Sequence, residues 1–201
     1  MQPYNVVKQF ESALCEYTGA KYAVTTNSCT MALFLSVKWH LKDGGVNTKI
    51  NIPKRTYVSV PQSIIHAGGK PEYRDHVWLG NYQLKPYDIW DCARWFTSNM
   101  YEKGDFQCVS FHASKILGDT QGGAILHDND EADAWFRRAR FDGRTEGVAP
   151  KDDNFTQLGW HCYMSNDVAA RLLLKLSALP KHNQPLPNDP YPDLSKFEVF
   201  K

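Results

Sequence analysis

The sequence predicts an α/β fold of three layers, helix, sheet and helix, around a mainly parallel sheet. Two observations carry this prediction. Short apolar runs alternate with longer segments whose apolar residues recur at helical spacing. Gly, Pro, Asn and Ser clusters punctuate the alternation, which is the order expected when strands are joined by helices that cover both faces of a sheet. At 201 residues, roughly 70% of the unfolded chain's surface can be buried, so the core needs neither disulfides nor a metal.

The elements follow in order. Val6 to Tyr17 carries its apolar residues on one helical face (Val6, Val7, Phe10, Ala13, Leu14, Tyr17) and stops at Gly19, a helix C-terminal signal. Lys21 to Thr25 reads as a short strand. The polar turn Asn27-Ser-Cys-Thr30 then offers N-caps to a helix from Met31 to Leu41. Lys49 to Ile52 is a strand closed by Pro53, Tyr57 to His66 a helix ended by Gly68 and Gly69, and Lys70 to Arg74 another strand. Tyr87 to Trp90, Gln107 to Phe111 and Gly123 to Leu126 complete the strands. Helices at Glu131 to Arg140 and Asn166 to Leu179 complete the order. The proline-rich stretch from Pro180 to Pro192 predicts an extended tail that packs on a surface or a partner.

Composition narrows the function classes. Net charge is +1 with no basic block, which gives no support to nucleic acid or an anionic membrane as the main partner and favours small molecules. No apolar run reaches the length of a membrane span, and Met1 to Lys8 has no signal-peptide core, so the expected location is cytoplasmic. Five cysteines without a CxxC pair argue against a disulfide framework and a zinc ribbon. A metal site from Cys108, His112, His161 and Cys162 matches no standard ligand spacing, and core packing explains these residues better.

In parallel-sheet proteins ligands bind beyond the carboxyl ends of the strands, so the residues there carry the chemistry. Ser28, Cys29 and Thr30 sit where hydroxyls and unpaired N–H groups meet a helix N-terminus, an anion site or an ordinary cap. Asp91 ends a strand, and its carboxylate calls for a cation, either Arg94 in an ordinary ion pair or a protonated pyridine nitrogen. Tyr57 follows a strand and offers either core packing or a face for a flat cofactor. Lys115 closes the segment Ser110-Phe-His-Ala-Ser-Lys115, read as a strand ending on a lysine, ahead of Gly122 and Gly123. An amine at a buried strand end is placed to form a Schiff base with a cofactor aldehyde, the alternative being one more solvated lysine.

The order aromatic, Asp, Ser-x-x-x-x-Lys and Gly-Gly behind a Ser/Thr turn resembles that of fold type I pyridoxal 5'-phosphate (PLP) enzymes, and specifically the DegT/DnrJ-type sugar aminotransferases. The resemblance runs from Tyr4 to Leu179. Its strongest pieces are Phe10 to Val24, Asn27 to Leu33, Asp91-Cys-Ala-Arg94, Ser110 to Lys115, Gln121-Gly-Gly-Ala124 and Leu158 to Ala170. It implies that Lys115 holds PLP as an internal aldimine and then shuttles a proton, and that Asp91 keeps the pyridine nitrogen protonated. Tyr57 would stack on the ring, Ser28, Cys29, Thr30 and Ser110 would hold the phosphate, and Arg94 would lie beside the ring hydroxyl. The implied reaction moves an amino group from an amino acid, glutamate by expectation, to a keto sugar that is nucleotide-linked. The implied assembly is a homodimer with the site at its interface, where His161 stands at the position that reaches the neighbouring subunit's phosphate.

This sequence departs from the family pattern at several of these places. Arg94 replaces Gln, Cys29 replaces Gly, Gln121 replaces Glu, His161 replaces Asn and Tyr163 replaces Arg. The stretch between Tyr73 and Asp91 is short by a strand and a helix, and nothing after Leu179 resembles the family's small C-terminal domain. The expected organisation is therefore a shortened PLP-binding large domain over residues 1–180 and a tail over 181–201. The alternative function is a catalytically weakened PLP-binding or interaction subunit that pairs with another chain.

Overall fold

A computed structural model describes residues 4–201; the first three residues of the stretch Met1 to Lys8, read above for a signal-peptide core, lie outside the described residues. The first helix, α1 (Asn5–Thr18), buries Val7, Phe10 and Leu14 at spacings of three and four. It ends where Gly19 takes a left-handed conformation and returns its N–H to the Cys15 carbonyl at 2.9 Å. Strand β1 (Tyr22–Thr26) leads through a two-residue turn into α2 (Cys29–Leu41). That helix is buried continuously from Ala32 to Val37, as a helix at the centre of a fold must be.

Then come β2 (Lys49–Pro53), α3 (Ser59–Ala67) and β3 (Lys70–Arg74). They are followed by β4 (Tyr82–Gln83), β5 (Ile89–Asp91), β6 (Phe106–Ser110) and β7 (Gly123–His127). Helices α4 (Asp130–Ala139) and α5 (Asn166–Ser177) complete the regular structure.

The three-layer α/β architecture is as expected, with a mixed rather than mainly parallel sheet. The order β1-β7-β6-β5-β4 is parallel only between β5 and β6, while β2 and β3 form a separate parallel pair. The physical reason lies in two connections. The chain from β6 to β7 doubles straight back without a crossover helix, so β7 is antiparallel to both β6 and β1. The short stretch after β3 forms the β4–β5 hairpin, which occupies the edge of β5. The β2–β3 pair meets that hairpin through a single bridge, Asn51 N–H to the Lys85 carbonyl at 2.7 Å. Because β7 opposes both neighbours, β1, β6 and β5 all point the same way, and their carboxyl ends share one edge of the sheet.

Side chains leave the sheet alternately to two buried clusters. Val24, Ile89, Cys108 and Ile125 pack with Leu33, Val37, Ile64 and Phe136 on the α2, α3, α4 side. Ala23, Val109, Ala124 and Leu126 pack with Phe10, Leu14, Val168 and Leu172 on the α1, α5 side. Both faces are covered, so the sheet edge at the strand ends is where polar chemistry is accommodated.

Candidate active site

Strand register assembles the site. Asp91 lies opposite Cys108, while Gly123 lies between Ser110 on one side and Thr26 on the other. The turn after β1, the end of β6 and the end of β5 are thereby brought to one edge. The paired glycines are explained by the same geometry. A Cβ at Gly123 would stand 2.4 Å from the Cys29 nitrogen and 2.6 Å from the Ser28 carbonyl carbon, so only glycine lets the turn pack against β7.

The turn itself feeds a helix N-terminus. Ser28 Oγ accepts from Met31 N–H at 3.2 Å, capping α2. The first N–H groups of a helix have no intrahelical partner, so those of Cys29 and Thr30 are left for an anion. Thr30 Oγ1 donates to Ser59 Oγ at 2.9 Å, and Ser63 Oγ donates to the Thr30 carbonyl at 3.1 Å. The start of α3 therefore meets the start of α2, and two positive helix ends converge. Ser59 was not visible as a site residue in the sequence, because only the α2–α3 packing brings it to Thr30.

Asp91 does not pair with Arg94, contrary to the simplest local expectation. Its Oδ2 accepts from Tyr82 OH at 2.8 Å and its Oδ1 from Ala93 N–H at 2.9 Å. Thr56 Oγ1 lies 2.5 Å from the same Tyr82 hydroxyl. Burial raises the Asp91 pKa, with the Ala93 and Tyr82 hydrogen bonds and the Lys115 charge working against it. The carboxylate is thus buried, held in one orientation by two donors, and bonded to no cationic side chain among the described residues. Tyr82 is a second residue that sequence reading missed, since it belongs to a two-residue strand with no apolar run to mark it.

Lys115 lies five residues past the end of β6, in a turn closed by its own N–H to the His112 carbonyl at 2.9 Å, rather than on the strand. The loop carrying it is clamped. Phe111 N–H bonds the Gly122 carbonyl and Asp119 N–H bonds the Phe111 carbonyl, both at 2.9 Å. Asp119 also accepts from Arg171 Nε at 2.9 Å and Lys175 Nζ at 2.8 Å on α5, which hold its carboxyl well below the usual carboxylate range. Lys115 is half-buried, and among the described residues its Nζ makes no hydrogen bond or ion pair. Burial lowers its pKa, Arg94 lowers it further, and Asp91 and Cys29 pull it back up. A lowered amine pKa increases the neutral, nucleophilic fraction.

The other predicted residues fall around this centre. Cys29 Sγ lies 3.6 Å from the Cys108 carbonyl, and burial together with Asp91 pushes its thiol well up, so it is a neutral neighbour and not a nucleophile. Ser110 Oγ accepts from His112 N–H at 3.4 Å at the root of the Lys115 loop. Tyr57 is 58% exposed and adjacent in sequence to Thr56 of the Tyr82–Asp91 chain. His161 is exposed, with Nδ1 2.8 Å from Asp142 Oδ2, and lines a cavity of about 300 Å³ together with Asn27, Gln121, Gly122 and Tyr163. Arg94 is 8% exposed and turns away from Asp91 toward Asp189, 2.7 Å away. Its Nε is buried without an acceptor.

These residues fit PLP. An uncompensated buried carboxylate suits a protonated ring nitrogen, an orphaned guanidinium N–H suits the ring's phenolic oxygen, a half-buried free amine suits the aldehyde, and two convergent helix N-termini suit a phosphate. No group of His, Cys, Asp and Glu among the described residues could hold a metal ion, and no helix there is long and apolar enough to cross a membrane.

The model of the DegT/DnrJ/EryC1/StrS aminotransferase family matches the chain over residues 1–92 and 89–185. The two pieces meet at β5, where the connection from β3 is short. A UDP-4-amino-4,6-dideoxy-N-acetyl-beta-L-altrosamine transaminase from Campylobacter jejuni is 27% identical over 225 residues, covering 88% of this chain and 57% of the relative. The Bacillus subtilis spore coat polysaccharide biosynthesis protein SpsC is 41% identical over 69 residues, 34% of this chain and 17% of that protein. Among solved structures, Helicobacter pylori PseC, an aminotransferase involved in pseudoaminic acid biosynthesis, superposes with a TM-score of 0.76 at 17% identity, over 88% of this chain and 58% of its own. The sugar aminotransferase CalS13 from Micromonospora echinospora gives 0.73 at 16%, over 87% and 60%. The chain thus spans little more than half the length of PseC and of the Campylobacter transaminase.

Proposed function

The chain belongs to the DegT/DnrJ/EryC1/StrS aminotransferase family, and from that premise we propose that it is a PLP-dependent transaminase moving an amino group from an amino acid, glutamate, to a nucleotide-linked keto sugar. The observation that carries the proposal is Asp91, a buried carboxylate with two hydrogen-bond donors and no cationic side chain bonded to it, in the field of a half-buried lysine. The sugar acceptor rests on the likeness to the Campylobacter transaminase, which acts on a UDP-linked amino sugar by its name.

When bound, PLP supplies an electron sink for charge that develops on the carbon bearing the transferred nitrogen. The residues of this chain do the rest. Lys115 would hold the cofactor through its Nζ, and its free amine would be the base that moves a proton at the substrate carbon. Burial and Arg94 lower its pKa, which increases the fraction of Nζ that is neutral and able to take up a proton. Asp91, fixed by Tyr82 OH and Ala93 N–H, would hold a proton at the ring nitrogen. The N-termini of α2 and α3, with Ser28, Cys29, Thr30 and Ser110, hold the phosphate, and Tyr57 covers the ring. Arg94 Nε, buried without an acceptor among the described residues, would be the donor for the phenolic oxygen. Residues 1–180 form the cofactor-binding unit. A second copy of the chain completes the site, with His161 reaching the partner's phosphate.

The purified protein, mixed with PLP, should turn yellow, and borohydride should fix the label on Lys115 as read by peptide mapping. Glutamate should then bleach the yellow band toward the pyridoxamine form. Failure to develop colour sinks the proposal. Colour that no amino acid bleaches favours the PLP-binding subunit instead.

A further inference from the structure

The segment after α5 is a strap laid across the candidate site. Its near end is tied where Pro180 and Lys181 carbonyls accept from Tyr17 OH at 2.6 Å and Ser98 N–H at 2.9 Å. Its far end is fixed by buried Leu194 and Phe200, by Leu194 N–H to the Lys54 carbonyl at 2.8 Å, and by Tyr73 OH to the Phe200 carbonyl at 2.9 Å. Between these anchors no side chain from 181 to 193 is buried. The middle is held by polar and ring contacts: Asn183 N–H donates to Thr97 Oγ1 at 3.1 Å and its Nδ2 to Tyr17 OH at 2.9 Å, Asn188 Nδ2 donates to the Trp78 carbonyl at 2.5 Å, and Arg55 Nη1 donates to the Tyr191 carbonyl at 3.4 Å. Tyr191 stacks on Trp78 with ring centroids 6.2 Å apart and planes at 15°, and residues 186–191 surround Arg94.

The contacts of Arg94 are one-sided. Nη1 donates to Asp189 Oδ2 at 2.7 Å and to Tyr191 OH at 3.4 Å, Nη2 donates to the Pro187 carbonyl, and Leu186 N–H returns to the Arg94 carbonyl at 2.8 Å. Among the described residues every acceptor of the guanidinium is supplied by the strap, and none by the domain beneath it. The burial of the ion pair is equally lopsided, with the Arg94 side chain 10% exposed and that of Asp189 61%.

We propose that Arg94 Nη1 and Nη2 form a seat for the carboxylate of an amino-acid ligand beside Lys115, that Asp189 occupies the seat as an internal stand-in, and that residues 186–191 lift when the ligand takes its place. The proposal rests on the aminotransferase reading for the identity of the ligand. A buried guanidinium stripped of its anion is strongly destabilised, so the strap leaves in exchange for another oxyanion and not by simple release. Asp189 is already mostly hydrated and gives up its place at small cost. A planar guanidinium fork matches a carboxylate in two hydrogen bonds, as Lys could not. With no buried side chain of its own and its bonds lying at the surface, the middle between the two anchors is the part of the strap with the lowest cost of local opening.

The intact cofactor-free chain tests this with glutarate, a dicarboxylate that has no amine to transfer. Hydrogen exchange at 186–191 should speed up with glutarate while that at 194–200 stays unchanged, and Trp78 fluorescence should follow. Asp189→Asn removes the competitor and should tighten glutarate about three- to tenfold, the range expected of a half-exposed ion pair. Arg94→Gln should abolish the response, and Arg94→Lys, a milder change should the first not fold, should weaken it. Wild-type exchange indifferent to saturating glutarate, or Asp189→Asn binding it no better, overturns the proposal. The colour developed with PLP is scored separately. Colour without a strap response overturns the strap alone, whereas a strap response without colour overturns the cofactor reading and keeps the carboxylate seat.

Discussion

Two carboxylates are buried to nearly the same extent, Glu11 at 4% and Asp91 at 5% exposure, and they are wired in opposite ways. Glu11 interrupts the apolar face of α1. It bonds Arg140 Nη1, Arg137 Nη1 at 2.8 Å, and both the N–H and the hydroxyl of Thr25, at 2.9 and 2.8 Å. Burial alone would raise its pKa, but Arg140 and Arg137 override that and hold it at about 2. Asp91 has two neutral donors and no bonded cation, so burial prevails and its pKa rises. A buried acid supplied with its own cations ties α1, β1 and α4 together. A buried acid denied them is poised for a cation that comes with a ligand.

The largest effect should come at the poised site. Lys115→Ala removes the amine that carries the cofactor, and turnover should fall by at least about 10³-fold with loss of the yellow band, read by steady-state kinetics and absorbance. Glu11→Gln should be the largest change in stability. It leaves Arg140 and Arg137 facing a neutral group and should cost about 3–5 kcal/mol, measured by urea unfolding. Asp91→Asn should do the reverse in the cofactor-free protein, stabilising it by about 1 kcal/mol, or about 2–4 °C in Tm for a chain of this size, while abolishing turnover. Equal signs for Glu11→Gln and Asp91→Asn would break the comparison.

The smallest and most discriminating effect is in pH dependence. The Glu11 pKa is depressed on folding, so its contribution is fully present above about 4.5 and is lost as pH falls toward 2. The Asp91 pKa is raised on folding, so its destabilising charge sets in as pH rises above 3.8. The deficit of Glu11→Gln should therefore shrink on acidification between pH 4.5 and 2. The gain of Asp91→Asn should already have vanished below pH 3.8, and unfolding midpoints measured across that range check both.

Much of this was legible in the chain. Elements with a strong local signal were placed within a residue or two, such as α1 with its Phe10–Leu14 face and Gly19 stop, and β3 at Lys70–Arg74. The set Ser28 to Thr30, Asp91, Ser110 and Lys115 could be ordered from motif spacing alone, and the structure brings it to one sheet edge. Strand direction was not legible, because an apolar run carries no sign of the way its neighbour runs. The antiparallel β7 follows from a connection too short to cross over. Tyr82, Thr56 and Ser59 stayed hidden because nothing in their local sequence distinguishes a hydroxyl aimed at a buried group from one in water.

The strap marks the boundary most clearly. Its proline content established by itself that residues 180–192 would form neither helix nor strand, since proline fixes φ and lacks the N–H that either ladder requires. Likewise the sequence alone established the helix stops and the alternation of elements, both of which depend on neighbours a few positions away. Tertiary structure decided that Arg94 turns from Asp91 to Asp189, 95 residues on, and that Asp91 is left without a cation. Such pairings depend on which surfaces meet in space and on the desolvation each charge meets there, and chain spacing carries no record of either.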